Sequence, residues 1–368
     1  MEAIEAATTI ERILIEKAKM SRTPINGSIE LLPLCNMNCD MCYVRLDKKE
    51  QEAKGRIRSV DEWLKIGEDM AKAGVLFLLL TGGEPLMYPG FKELYIGLKK
   101  LGLIITINTN GTLINEEWAD FFKENKPRRI NITLYGGDDR AYEELCHYKG
   151  GFEKVISGIR LLRERDVDVK LSVSVTKANC SDLDKIYAIA KELDVPARAD
   201  AYMMAATRER DNPFDYESRL EPNEAGALQV NILKKELMGE ELTEYFDEKI
   251  KEIEGENQYD ESPRGLECLA GSCSFTINWQ GELHPCVILT RPSASVFEAG
   301  FINAWNQVQD EVQKIRINPK CSTCNLRSVC RTCAACAKTE TGSYDGVPEY
   351  MCNFAKGFYE EVKVGYRE

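Results

Sequence analysis

Between residues 27 and 200 the chain alternates short β-rich runs with longer helical runs, and this rhythm limits its fold more than any other feature. The runs at 27–32, 76–80, 104–108, 130–134 and 169–175 are rich in Val, Ile, Leu and Thr and read as strands, and 196–200 is a sixth candidate. Helical patterns fall between them, at 60–73, 91–101, 115–124, 151–165 and 182–193. Parallel strands need a crossover of helical length, and each crossover helix must cover a sheet face, so βα units in series predict a parallel sheet. Periodicity alone leaves open whether the sheet closes. Six units fall short of the eight that close a full barrel.

The flanks differ from this core. The first twenty residues mix Glu, Lys and Arg with Ile10, Leu14 and Ala18, which predicts a short amphipathic helix; a secretory signal needs an unbroken apolar centre. Residues 221–256 are charged, with Leu228, Leu233, Leu237 and Leu242 at helical spacing, and read as a linking helical segment with a solvated face. After Glu261 cysteines crowd in and Gly and Pro punctuate the chain. So little apolar material predicts a small domain stapled by metal. The expected divisions are an N-terminal helix to 26, a core over 27–220, a helical linker over 221–262 and a Cys-rich domain over 263–368. No stretch of eighteen apolar residues exists, so no membrane span is expected, and the chain is expected in the cytoplasm. A net charge of −12 and a pI near 5.1 lack the basic face that releases phosphate counterions, which argues against nucleic acid as a partner.

Fourteen cysteines against two histidines point to metal in a chain expected to keep its thiols reduced. The scarcity of His leans toward all-thiolate iron–sulfur ligation, with a four-cysteine zinc site as the alternative. Directly after the first candidate strand, Cys35, Cys39 and Cys42 stand in a Cys-x3-Cys-x2-Cys spacing. Functional loops of parallel α/β sheets sit at strand C-termini. Three thiolates on one loop can hold three irons of a four-iron cube and leave the fourth open to a chelating ligand. At the end of the second candidate strand stands Thr81-Gly82-Gly83-Glu84-Pro85, whose glycines allow backbone to approach a ligand closely.

This cysteine spacing together with Gly-Gly-Glu-Pro resembles the radical S-adenosylmethionine (SAM) superfamily. The resemblance implies that Cys35, Cys39 and Cys42 bind the catalytic [4Fe–4S] cluster. It implies that Met41 and Tyr43 lie against the adenine, and that Gly82, Gly83 and Glu84 meet the methionine amino group. It places Asn108, Asn110, Thr133 and one of Ser172 and Ser174 (Ser174 is the expectation) where relatives have polar contacts to SAM. The implied chemistry is one-electron cleavage of SAM to a 5′-deoxyadenosyl radical, which takes hydrogen from an unreactive C–H bond. The cofactor does the hard step while the protein positions and shields it.

Nine further cysteines follow Pro263, and Gly281 stands five before Cys286. From Cys321 the spacing runs Cys-x2-Cys-x5-Cys-x2-Cys-x2-Cys, with Cys352 beyond. This resembles the SPASM extension of radical SAM peptide and protein modifiers, in which eight cysteines hold two auxiliary [4Fe–4S] clusters. The resemblance implies an outer cluster on Cys321, Cys324, Cys330 and Cys352, and an inner one on Cys268, Cys273, Cys286 and either Cys333 or Cys336. The family's usual next cysteine would fall at Ala334, which Cys333 and Cys336 flank. Cys333 is the expected ligand, and the remaining thiol is a candidate hydrogen-atom donor. Cys146 and Cys180, and the two histidines His147 and His284, read as ordinary residues.

The expected architecture is therefore α/β: a partial (β/α)6 TIM-type barrel with a small Cys-rich C-terminal iron–sulfur domain. The expected activity is that of a maturase acting on a ribosomally made precursor peptide, forming a thioether, ether or C–C crosslink or an epimerised residue. Rivals are an anaerobic sulfatase maturase making formylglycine, a dehydrogenase of a small alcohol, and a non-catalytic electron carrier or zinc scaffold. Gly-Gly-Glu-Pro argues against the last, since a carrier has no use for SAM. A low-potential donor of flavodoxin or ferredoxin type is the expected electron source. Only 34 residues precede Cys35, fewer than the ~50 a domain needs, so leader recognition is expected from a separate protein, from the acidic 221–256 surface, or not at all.

Overall fold

A computed structural model describes residues 9–204, 218–255 and 264–365. Six strands appear where the alternation placed them: β1 (Asn26–Glu30), β2 (Phe77–Thr81), β3 (Ile104–Thr109), β4 (Arg129–Thr133), β5 (Val169–Ser174) and β6 (Ala197–Asp200). They pair in sequence order, all parallel. The α/β expectation, with six parallel βα units and a Cys-rich C-terminal part, is borne out.

The two faces of this sheet differ. Ile29, Leu78, Leu80, Ile105, Ile107, Ile130, Ile132, Leu171 and Val173 alternate onto one face and are buried. They pack in one core with Trp63, Met70, Leu94, Leu98, Phe122, Ile159 and Leu162 from the crossover helices. Each such side chain contributes about 1.5–3 kcal/mol by leaving water. Ser28, Thr106, Asn108, Asn131, Thr133 and Ser172 alternate onto the other face and are only half-buried. A parallel sheet covered on both sides would be apolar on both. The polar second face is therefore the open interior of a part-barrel. The helices start where local chemistry stops the preceding loop: Asp47 with Glu50 and Ser59 with Glu62 form capping boxes before Lys48–Lys54 and Val60–Lys72.

The sheet continues beyond β1. β7 (Ser274–Ile277) pairs parallel with β1, and β8 (Glu282–His284) and β9 (Ala294–Ser295) follow antiparallel, giving the order β6-β5-β4-β3-β2-β1-β7-β8-β9. Gly27 makes this junction possible, because a Cβ there would stand 2.2 Å from the Phe275 ring. Dividing the chain at 262 would separate β7 from the strand it pairs with. The expected linker is likewise more than a solvated helix. It forms two helices, Pro222–Glu236 and Glu240–Glu254, and Ala225, Val230, Ile232 and Leu233 of the first are buried with Phe354 and Phe358 of the C-terminal helix Glu349–Gly365. Residues 256–263 lie outside the described residues, as do residues 1–8 of the expected N-terminal helix, which is described from Thr9 to Ser21. No helix among the described residues is long and apolar enough to cross a membrane.

Candidate active site

The loop carrying Cys35, Cys39 and Cys42 leaves the C-terminal end of β1 and lies against the loops that follow β2 and β3. A mesh of side-chain hydrogen bonds joins the three. Glu84 is wholly buried; its Oε1 accepts from Thr109 Oγ1 at 2.8 Å and Leu86 N at 3.0 Å, and its Oε2 from Asn110 N at 2.8 Å. Burial pushes its carboxyl up to about 7, and the Asn110, Leu86 and Thr109 donors oppose this. Asn110 Nδ2 donates to Asn36 Oδ1 at 2.9 Å and approaches Cys35 Sγ at 3.6 Å. Asn36 Nδ2 donates to Thr112 Oγ1 at 2.8 Å. Every link in this side-chain mesh between the cysteine loop and Gly-Gly-Glu-Pro thus runs through the end of β3.

The two glycines serve the cysteine loop itself. A Cβ on Gly82 would stand 2.5 Å from Leu32 O, and one on Gly83 would stand 2.3 Å from Leu34 O. Gly82 also has φ +146, outside the range L side chains favour. The bare backbones allow Gly83 N to donate to Leu32 O at 2.7 Å and Glu84 N to Leu34 O at 2.9 Å. The close approach anticipated for a ligand is in the first place an approach to the chain that carries Cys35.

A second brace comes from residues 145–147. Asn38 N donates to Cys146 O and Asp40 N to Leu145 O, both at 3.0 Å, and His147 Nε2 lies 2.6 Å from Asp40 Oδ1. The buried Cys146 thiol hydrogen-bonds Cys39 and holds it below the ordinary thiol range, with Tyr135 adding to this. Burial pushes Cys35 up to about 12; the Met37 amide opposes, and Glu84, Cys39 and Cys42 add to the rise. Cys146 and His147 read as ordinary residues in sequence, yet they hold the metal-ligand candidates in place. Nothing in their spacing announces this, because the contact is made across 107 residues. Tyr135, directly after β4, was findable from its place at a strand C-terminus.

The expected SAM contacts are spread around this mouth. Met41 and Tyr43 sit half-buried on the cysteine loop. Asn108 lies on the polar face, where its Oδ1 accepts from Asn131 Nδ2 at 2.8 Å, so Asn110, two residues on, is the asparagine that reaches the cysteine loop. Thr133 pairs with Ser172 in the ladder, and Ser174 pairs with Asp200 and is exposed.

The C-terminal thiols form two groups. Burial raises Cys321, Cys330 (to about 11) and Cys352; each feels Cys324, and the first two also feel Cys352. Burial likewise raises Cys273, Cys286 (to about 11) and Cys333, and each of these feels Cys268. Cys286 also feels Cys333. Cys336 feels Cys333 but is engaged by a different partner. It is buried, and Tyr202, just past β6, places its hydroxyl 3.0 Å from the Cys336 Sγ. Burial pushes this thiol up to about 12, with Tyr202 opposing. Cys333 Sγ instead accepts the Cys336 amide at 3.5 Å as the cap of the helix Ala334–Thr341. Both groups are thiolate donor sets without histidine, which fits iron–sulfur ligation. Among the described residues no three His, Cys, Asp or Glu side chains converge as ligands of one metal ion.

Residues 29–187 match the model of the Radical SAM superfamily. The chain is 26% identical over 338 residues to the AdoMet-dependent heme synthase of Methanosarcina barkeri, covering 88% of this chain and 95% of that protein. It is also 26% identical over 368 residues to the cysteine-type anaerobic sulfatase-maturating enzyme of Clostridium novyi, covering 89% and 92%. Among solved structures, Streptococcus suis SuiB bound to S-adenosylmethionine shares the fold with a TM-score of 0.67 at 18% identity, over 91% of this chain and 80% of that one. With the cysteine loop at the barrel mouth and Gly-Gly-Glu-Pro packed against it, the chain carries a radical SAM domain over residues 29–187.

Proposed function

We propose that the chain is a maturase that removes hydrogen from a gene-encoded peptide and thereby forms a crosslink or inverts a stereocentre. What supports this reading is the cysteine loop at the mouth of an open part-barrel, with further thiols in the C-terminal region that feel one another electrostatically in two sets. In this reading Cys35, Cys39 and Cys42 hold the catalytic [4Fe–4S] cluster. The outer auxiliary cluster sits on Cys321, Cys324, Cys330 and Cys352, and the inner one on Cys268, Cys273, Cys286 and Cys333. Cys35, Cys39 and Cys42 would hold a group that, with SAM beside it, would supply one-electron reductive cleavage of a carbon–sulfur bond.

The chain's own residues position this chemistry. The mesh through Glu84, Thr109, Asn110 and Asn36 fixes the cysteine loop against Gly82-Gly83. Met41 and Tyr43 offer apolar and aromatic surface for an adenine, and Asn108, Thr133 and Ser174 line the polar interior where a charged cofactor tail fits. An open part-barrel admits an extended chain sideways, as a closed eight-stranded barrel would not. SuiB, which shares the fold, has been solved bound to its precursor peptide SuiA. The remaining partners in this reading are a low-potential flavodoxin- or ferredoxin-type donor and a separate leader-binding protein. Formylglycine formation on a sulfatase is the nearest alternative, since the Clostridium novyi relative is a sulfatase-maturating enzyme. A tetrapyrrole substrate is a second reading, favoured by the heme synthase relative.

One assay separates them. The reduced, cluster-loaded protein is incubated with SAM and, in turn, with a candidate precursor peptide, a sulfatase peptide and an iron porphyrin, and each product is weighed. A loss of two hydrogens, or deuterium uptake from solvent at unchanged mass, on the precursor peptide supports the proposal. Turnover confined to the sulfatase peptide or to the porphyrin overturns it.

A further inference from the structure

Between Glu311 and Glu340 the chain carries six basic residues and no acidic one, although its formal net charge is −12. Five of the nine C-terminal cysteines lie in this segment. One of its cations differs from the rest in what it joins. Arg327 stands on the turn Asn325–Ser328, inside the loop of the outer thiol group: its amide donates to Cys324 O at 3.0 Å, and its carbonyl accepts from Cys330 N at 3.3 Å. Its side chain leaves that loop for the inner group. Nη1 donates to Thr332 O at 3.0 Å, one residue before Cys333, and Nη2 donates to Glu267 Oε2 at 2.8 Å, one residue before Cys268. One guanidinium therefore ties a loop of one thiol group to two ligand-bearing segments of the other.

The tie is made with fixed geometry. A guanidinium is planar and always charged, and it offers its donors in a rigid fork. The Arg327 side chain is 18% exposed, while its partner Glu267 is half-exposed at 47%. Glu267 Oε1 also accepts from Arg264 Nη1 at 3.1 Å, so two guanidinium groups hold this carboxylate in place. The Arg327 guanidinium thus lies beside the segments that carry Cys324 and Cys330 on one side and Cys333 and Cys268 on the other. A four-thiolate cube is anionic and gains a further negative charge on reduction, so a fixed cation beside it favours the reduced form.

We propose that Arg327, held by Glu267, is a positioning residue shared by both auxiliary cluster sites, fixing the two thiol groups relative to each other and setting both reduction potentials together. The proposal rests on the reading that the two groups bind clusters. Its test uses the full chain with Cys35, Cys39 and Cys42 replaced by Ala, so that only auxiliary signals remain, and compares Arg327 with Arg327→Gln and Arg327→Lys by iron content, electron paramagnetic resonance and potentiometry. Arg327→Gln is expected to disfavour reduction of both clusters about tenfold, ~59 mV for a one-electron couple, or to lose iron from both groups. Arg327→Lys, which keeps the charge, is expected to recover most of the potential shift. A change in one cluster alone, or in neither with iron retained near eight per chain (about four per cluster), overturns the proposal while leaving the two-cluster reading intact. A parent chain without auxiliary iron overturns both.

Discussion

The part-barrel and the cysteine-rich C-terminal region are held together by different means. In the barrel, nine aliphatic side chains on one sheet face are buried against the crossover helices, and the fold follows from apolar periodicity. Around the inner thiol group the separate apolar cluster contains only Leu289, Ile315, Ile317, Ala334 and Ala335 among its buried residues, and the local helices Pro319–Ser322 and Ala334–Thr341 span four and eight residues. Helices that short do not stand without tertiary support. The charge divides the same way: residues 263–368 carry eleven basic and eleven acidic side chains, so the whole excess of −12 lies before them. The thinly cored stretch around these thiols depends on what they bind, whereas Phe275, Ile277, Phe301 and Trp305 of the same region are buried in the barrel's own core.

The largest effect expected from this contrast comes from replacing the outer group. Changing Cys321, Cys324, Cys330 and Cys352 to Ser should remove about four irons and abolish the unfolding transition of the short thiol-bearing segments over 319–341, leaving the barrel's transition in place. Calorimetry and iron analysis check this, and one cooperative transition lost as a whole would break the comparison. Replacing Cys35, Cys39 and Cys42 should do the reverse, removing about four irons with little change in either transition.

Within the barrel, Leu80→Ala should cost about 2–5 kcal/mol in denaturant unfolding, whatever the metal content, since Leu80 is wholly buried on the packed face. Leu289→Ala should cost less in the metal-loaded protein than in the stripped one. Gly83→Ala pushes a Cβ to 2.3 Å from Leu34 O and should cost about 1–3 kcal/mol, with poorer loading of the first cluster measured by iron content.

Smaller effects sharpen the site assignments. The Glu84 carboxyl is raised by burial from 4.5 to about 7, so it contributes stability that is complete below pH 4.5 and is lost as pH rises through about 7. Glu84→Gln should flatten that part of the stability profile, read as denaturation midpoints at about pH 5 and about pH 8. Tyr202→Phe removes the hydroxyl 3.0 Å from Cys336 and should cost under about 1 kcal/mol with iron content unchanged. If Cys336→Ser rather than Cys333→Ser removes the inner cluster, the two thiols exchange roles.

Legibility in the sequence followed the same contrast. The six core strands lie within two residues of the runs that alternation marks, because each strand buries every second side chain and its own residues record that. β7, β8 and β9 escaped notice: they are four, three and two residues long, and their place beside β1 depends on Gly27 meeting Phe275, a fact about two distant positions. The cysteine loop and Gly-Gly-Glu-Pro were readable as motifs because their residues stand close together in the chain. Asn36, Thr109, Thr112 and Cys146, which bind those motifs to one another, carry no local signal. Neither does Arg327, whose partner Glu267 stands 60 residues away.

The central claim is that the loop at the mouth of the part-barrel works on SAM. The most direct measurement is 5′-deoxyadenosine release by the reduced, iron-loaded protein, compared with the variant in which Cys35, Cys39 and Cys42 are all Ala. Release is expected from the parent and none from the variant, with the C-terminal clusters still present in both. Undiminished release from the variant, or none from a fully loaded parent, would contradict that claim.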